Sequence, residues 1–270
     1  MASAAVGTCK LCGQAAPLQQ SHIIPRAFYK RAKAGSPQLV EFTASPGGKP
    51  VLTNADPKER LLCHGCEQHL SIAYEHWGTR LFYPTRNQKK LIVDMGGQVK
   101  FKDFRYEDTY LFFLSILWRA GVSTLKAFNG VTLSEGMERR IANCLKDRTL
   151  LLAGGPLRVD NFIKLGLIKL TSPTDPLLQE MLKRAIFGFG SELFKEGDGF
   201  IYYFGVGGFL VVFYISTSPM DPCDVSVIRS APRPGTRTFR AECAPIQELS
   251  QIINLLSLAS RAGQPSPRRS

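Results

Sequence analysis

Long apolar runs are scarce in this chain, and their scarcity argues against a membrane span. The stretch closest to one, Phe200–Ile215, carries no charge but is only sixteen residues long, short of the roughly twenty that a spanning helix needs. Its aromatic and β-branched residues, broken by Gly205, Gly207 and Gly208, predict two buried strands joined by a tight turn. No secretory signal is expected in the opening residues either, because Met1–Gly7 is short and runs on into polar sequence. A disulfide framework is equally absent from the pattern. The seven cysteines are odd in number, four of them sit in metal-type spacing, and Cys144, Cys223 and Cys243 are scattered through apolar or loop sequence. These three are expected to be inert thiols, and the usage as a whole fits a reducing, cytoplasmic compartment. Histidine is rare, and His22, His64, His69 and His76 all fall in the first 76 residues. No internal repeat is present.

Acidic residues are outnumbered, 22 against 34 Lys and Arg, for a net charge of +12. Residues 1–105 carry fifteen basic and seven acidic side chains, residues 106–223 carry twelve of each, and residues 224–270 carry seven and three. A neutral middle between basic ends is what a surface for phosphate backbones would produce, since each neutralised phosphate releases condensed counterions. Ordinary solubilising charge is the alternative. With 44% hydrophobic residues over 270 positions, the chain can bury a substantial core without a covalent staple.

The periodicities predict an α+β protein. A strand is expected at Leu18–Ile24, a short basic helix at Ala27–Lys33, and a hairpin or an extended loop from 39–44 and 50–53 around Ser-Pro-Gly-Gly. A helix from Cys63 to Phe82 places Leu70, Ala73, Trp77 and Leu81 on one face. Residues 1–83 thus form an expected treble-clef, zinc-stabilised module, and residues 84–263 a larger α+β domain. Within the second region, Gly96-Gly97 marks a hairpin, Tyr110–Trp118 a helix apolar on nearly every side, and Ser134 a cap with Glu135 and Glu138 in the first turn. Helices are also expected at Pro176–Phe187 and Ile246–Ala259, and 264–270 as a disordered basic tail.

The strongest motif is Cys9-Lys-Leu-Cys12 matched by Cys63-His-Gly-Cys66. Two such knuckles supply the four thiolates of a closed tetrahedral zinc site; an iron–sulfur cluster is the alternative occupant. His64, inside the second knuckle, is not expected to be a fifth ligand. Between the knuckles lies Ser21-His-Ile-Ile-Pro25, and the second knuckle follows Leu61-Leu62.

Over residues 9–80 this combination resembles the HNH nuclease family in its zinc-containing ββα-metal form. The resemblance implies a structural zinc, a strand histidine acting as general base, and a second divalent ion, Mg2+ or Mn2+, held between strand and helix against the scissile phosphate. Carried over by position, His22 is the base, Glu67 the helix ligand of the catalytic ion, and Asn54 the residue that orients the histidine. The chain departs from the family pattern in three places. Ser21 stands where an Asp or another metal ligand is usual, Glu67 replaces Asn or His, and Asn54 lies nine residues before Cys63. The region after the module is similar to companion regions of uncharacterised bacterial HNH-like proteins, some in phage-defence or mobile-element settings.

Arg26, Lys30, Arg31 and Lys33 follow the candidate base directly and are expected to contact nucleic acid, while Phe28 and Tyr29 pack inward. His69 is a further candidate for the site, Glu75 and His76 read as a solvated helix surface, and Arg119 as a structural ion pair. The expected function is a metal-dependent endonuclease acting on DNA. The alternatives are a non-catalytic zinc module that binds nucleic acid or a partner protein, and a regulatory subunit whose C-terminal domain binds a ligand or a protein.

Overall fold

A computed structural model of the chain describes residues 6–33, 39–42, 51–53, 56–84, 90–193, 199–216, 219 and 232–249. Strand β1 (Val6–Thr8) turns at the first knuckle into β2 (Ala15–His22), and helix α1 (Arg26–Ala32) starts directly after Pro25. Strands β3 (Leu39–Phe42) and β4 (Val51–Thr53) form an antiparallel hairpin. Strand β5 (Lys58–Cys63) then returns to pair with β2, aligning Leu18 with Cys63 and His22 with Lys58. The helix expected from Cys63 to Phe82 is present as α2 (His64–Leu70), one π-type turn (Ser71–Glu75) and α3 (His76–Phe82).

Next come the hairpin β6 (Ile92–Asp94) and β7 (Gln98–Phe101), then α4 (Tyr106–Val122). Helix α5 (Glu135–Asp147) is capped by Ser134, whose hydroxyl accepts from the Met137 N–H at 3.3 Å. After α6 (Val159–Phe162) and β8 (Ile163–Thr171), α7 (Pro176–Leu182) is shorter than the sequence predicts. It gives way because Ile186 and Phe187 open β9 (Ile186–Leu193), which pairs with β10 (Gly199–Val206). Strand β10 turns at Gly207-Gly208, both at positive φ, into β11 (Phe209–Ser216). Such a two-residue turn needs the left-handed backbone that glycine adopts without strain. Strand β12 (Phe239–Pro245) leads into a 3-10 turn at Ile246–Glu248. The remainder of the helix expected there, and the 264–270 tail, lie outside the described residues.

The strands make two sheets. The small one is ordered β1-β2-β5; the large one has nine strands, ordered β4-β3-β9-β10-β11-β8-β12-β7-β6. The β3–β4 hairpin therefore belongs by pairing to the large sheet, through parallel contact of Glu41 and Phe42 with Ile186 and Phe187. The uncharged stretch at 200–215 is the middle of that sheet. Its residues alternate between two cores: Tyr202, Phe204, Phe209, Val211 and Phe213 face one, and Ile201, Tyr203, Leu210 and Val212 the other. A strand buried on both faces needs apolar residues at every position, which is why it reads as a continuous run.

Helix α4 sits between the cysteine module and the large sheet. Phe112, Phe113, Leu114, Ile116, Leu117 and Trp118 are all fully buried. On one side Phe112 meets Phe28 of α1 at 6.2 Å between ring centroids; on the other, Phe113 meets Phe204 at 6.4 Å. Gly78 lets α3 approach this helix closely, because a Cβ there would lie 2.2 Å from the Phe112 ring. The C-terminal end of α4 is tied back to β5, where the Glu59 carboxylate accepts from the hydroxyls of Ser123 at 2.5 Å and Thr124 at 2.6 Å. One hydrophobic cluster consequently runs from Cys9 to Ala241, across the boundary near residue 83 expected from sequence.

Candidate metal centre and adjoining polar site

The first knuckle is a tight turn. The Cys9 N–H donates to the Gln14 carbonyl at 2.9 Å and the Gly13 N–H to the Cys9 carbonyl at 2.8 Å, with Gly13 at φ 76. The Lys10 N–H donates to the Leu61 carbonyl at 2.9 Å, which fastens the turn to β5. Cys63 ends that strand and Cys66 occupies the first turn of α2. The four cysteine sulfurs lie within 4.8 Å of one another, and Cys12 and Cys63 are 3.9 Å apart, Sγ to Sγ. A tetrahedron with metal–thiolate arms of about 2.3 Å has edges of about 3.8 Å, so the spacing is that of metal ligands and far too long for a disulfide. Burial opposes ionisation of Cys9, yet backbone N–H groups of Cys12, Cys63 and Leu11 bring its thiol down to about 7. Burial and the neighbouring sulfurs push Cys66 up. Four crowded sulfurs resist carrying their negative charges together unless a cation offsets them. The quartet is therefore positioned to bind a metal ion, and His64, which is exposed, is not part of it.

Strand β2 carries the next two functional candidates from this quartet to the far side of the module. A bulge between Gln19 and Gln20 precedes them, and Ser21 and His22 then point to opposite faces, as successive strand residues do. Ser21 is fully buried, and its hydroxyl donates to Oε2 of Glu67 on α2 at 2.5 Å. His22 is partly buried on the other face, with Nε2 3.1 Å from Oδ1 of Asp56 and its ring 6.1 Å from that of Tyr29. The His22–Asp56 approach is within ion-pair range, but its angle is not that of a hydrogen bond. Burial lowers the pKa of His22, and Lys58 and Arg26 add to this; Asp56 pulls it up without overcoming the burial. The imidazole is thus neutral near pH 7. For Asp56 burial acts upward, but Lys58, 3.1 Å from Oδ2, and His22 together hold the carboxyl below its ordinary value.

Asn54 lies outside the described residues, and the side chain brought to His22 is Asp56. Its signal was its place, just before the strand that pairs antiparallel to the histidine and in register with it.

A second support reaches His22 from beyond the module. Arg119, 1% exposed within α4, donates from Nη1 to the His22 carbonyl at 2.7 Å and from Nη2 to Oε1 of Glu75 at 2.5 Å. Arg119 is the structural ion pair that the sequence predicts. Glu75 is not the solvated residue expected, because the π-type turn directs it at that guanidinium. His69, a further candidate, is engaged elsewhere: its Nε2 donates to the Leu145 carbonyl on α5 at 2.9 Å, beside the Tyr74 hydroxyl on the same oxygen. His76 is exposed, as expected.

Helix α1 begins four residues after His22. Arg26, Lys30 and Arg31 are exposed and Lys33 partly buried, while Phe28 and Tyr29 are buried as predicted. Arg26, Lys30 and Lys33 share a face at i, i+4 and i+7, and the Arg31 guanidinium lies 5.7 Å from the Tyr83 ring. Of the cysteines outside the quartet, Cys144 is buried, which pushes its thiol up to about 11, Cys243 is partly buried, and Cys223 is outside the described residues. Among the described residues no helix is long and apolar enough to cross a membrane.

No protein-family model, curated protein or solved structure matches this chain.

Proposed function

We propose that this protein is a metal-dependent endonuclease that hydrolyses phosphodiester bonds in DNA, built on a structural zinc held by Cys9, Cys12, Cys63 and Cys66. The reading rests on one observation above all. The hydrogen bond from Ser21 to Glu67 joins strand to helix one residue before a partly buried, neutral histidine, whose ring lies on the opposite face of β2 from Glu67. Thiolates in paired two-residue knuckles favour zinc at the quartet.

At the polar site His22 is the general base. Asp56, 3.1 Å from Nε2, sets a negative charge beside the ring, and burial keeps the ring unprotonated near neutral pH and so able to take a proton from water. Glu67, with Oε2 engaged by Ser21, offers Oε1 to a divalent ion. Mg2+ or Mn2+ bound there would offset the charge that develops on the phosphate and the leaving oxygen. Arg26, Lys30, Arg31 and Lys33 supply phosphate contacts beside the base. A role in phage defence or in a mobile element, in the cytoplasm, extends the reading on the family resemblance alone.

A zinc module that binds nucleic acid or a partner protein without cutting it is the second reading. Ser21 favours it, since a hydroxyl is a poor ligand for magnesium where a carboxylate is usual. Plasmid nicking in Mg2+ or Mn2+ separates the two. His22→Ala and Glu67→Ala should each lower the rate by about 10²–10⁴-fold while metal content and circular dichroism stay unchanged. A wild-type protein that cuts neither DNA nor RNA in either metal leaves the binding module.

A further inference from the structure

A cavity of about 430 Å3 opens between α3, the loop after β7 and the segment that enters β12. Three guanidinium groups line it: Arg80 from α3, Arg105 from the start of α4 and Arg237 from the approach to β12. They are far apart in sequence and brought together by the fold, where the Phe104 N–H donates to the Arg237 carbonyl at 2.8 Å. Arg105 lies over the Trp77 ring at 4.5 Å and reaches Asp108 at 3.7 Å. Among the described residues no carboxylate stands within ion-pair distance of Arg80 or Arg237.

Apart from Asp103, the rest of the lining is apolar and held in place. Leu91 and Phe104 are buried, and the indole N–H of Trp77 donates to the Thr109 hydroxyl at 3.1 Å, which fixes the ring. A purely solvated basic surface has no need of such a wall. Asp103 completes the rim with φ at 48, a left-handed conformation that costs a non-glycine residue energy and clusters at ligand sites. Planar guanidinium forks match phosphate oxygens, and the volume lies within the range of small-molecule sites.

We propose that this cavity binds a nucleotide, with its phosphates on Arg80 and Arg237, its base along the Trp77–Phe104 wall, and a sugar hydroxyl or base amine donating to Asp103. The site lies apart from His22 and does not depend on the chain being a nuclease. It provides the C-terminal region with a ligand.

Calorimetry of the full chain tests this with adenosine diphosphate, guanosine diphosphate, pyrophosphate and citrate as probes. At least one nucleoside diphosphate should bind at a single saturable site, more tightly than pyrophosphate or citrate. Arg80→Gln and Arg237→Gln should each weaken it about tenfold or more, as expected for loss of a hydrogen bond from a charged group. His22→Ala should bind unchanged, so the test is separate from that of catalysis. Absence of saturable binding at millimolar probe, binding unaltered in both arginine variants, or pyrophosphate or citrate binding as tightly as the tighter-binding nucleotide would each overturn the proposal.

Discussion

Lys169 on β8 shows how a single charge can be at odds with its surroundings. Its ammonium lies 4.6 Å from the centre of the Phe209 ring, and burial brings its pKa down from 10.5 to about 8, with Lys183 lowering it further and Cys243 and Asp94 opposing. Between pH 8 and 10.5 the unfolded chain holds a proton there that the folded chain has released, so stability rises with pH across that window. Below it both states are protonated and the full penalty applies, up to about 3 kcal/mol, of which the aromatic face returns part. Lys169→Met should therefore raise the melting temperature at pH 7 and flatten the dependence from pH 8 to 10.5. A lower melting temperature at pH 7 would mean that the contact with Phe209 outweighs burial. At this scale the cysteine quartet and the Ser134 cap were legible, because spacing and capping are local. The roles of Asp56 and of the Ser21 hydroxyl were not, since each depends on which strand or helix comes to lie opposite.

Between elements, two devices hold the small sheet in place. The first is the cysteine quartet, which with a metal ion bound would clamp the β1–β2 turn to the junction of β5 and α2. Structural zinc contributes on the order of 10 kcal/mol in small modules, so Cys63→Ser should lose the metal and expose the amides of β2 and β5 to rapid hydrogen exchange. Elemental analysis and exchange mass spectrometry read both outcomes. A protected small sheet in metal-free protein would show that packing on α4 suffices. The second device is Arg119, which joins α4 to the His22 carbonyl and to Glu75. Removing one partner of a buried pair leaves the other uncompensated, so Arg119→Met should cost about 3–5 kcal/mol in chemical denaturation. Removing the carboxylate as well, with Glu75→Leu, should recover part of that loss. The helix spanning 64–82 was legible from its apolar period. Its π-type turn was not, because the extra residue shows its purpose only once Arg119 is seen beside it.

For the whole molecule the issue is where the charge of +12 acts. If helix α1 meets the backbone of duplex DNA, binding should weaken steeply with salt. Reversing Arg26, Lys30 and Arg31 together should lower the slope of log K against log salt by about three, since each lost phosphate contact removes roughly 0.9. An unchanged slope would place the nucleic-acid surface elsewhere on the molecule. The same scale explains the hairpin at 39–42 and 51–53, which by sequence adjacency belongs with the cysteines and by pairing completes the edge of a sheet formed mostly by residues beyond 90. Strand partners are chosen by register and by apolar faces, which a linear pattern does not assign.

The sequence by itself determined the four cysteines positioned to bind a metal ion, the α+β class, the buried helix α4 and the hairpin at 200–215, because each follows from local spacing, periodicity or turn chemistry. Only the tertiary structure decided that Asp56 faces His22, that Ser21 bonds Glu67, that Arg119 reaches across from α4, and that three distant arginines line one cavity. These are contacts between side chains separated by tens of residues. They exist because burying both faces of the middle of the large sheet and nearly all sides of α4 leaves few ways to pack the chain, and that packing brings the polar groups together.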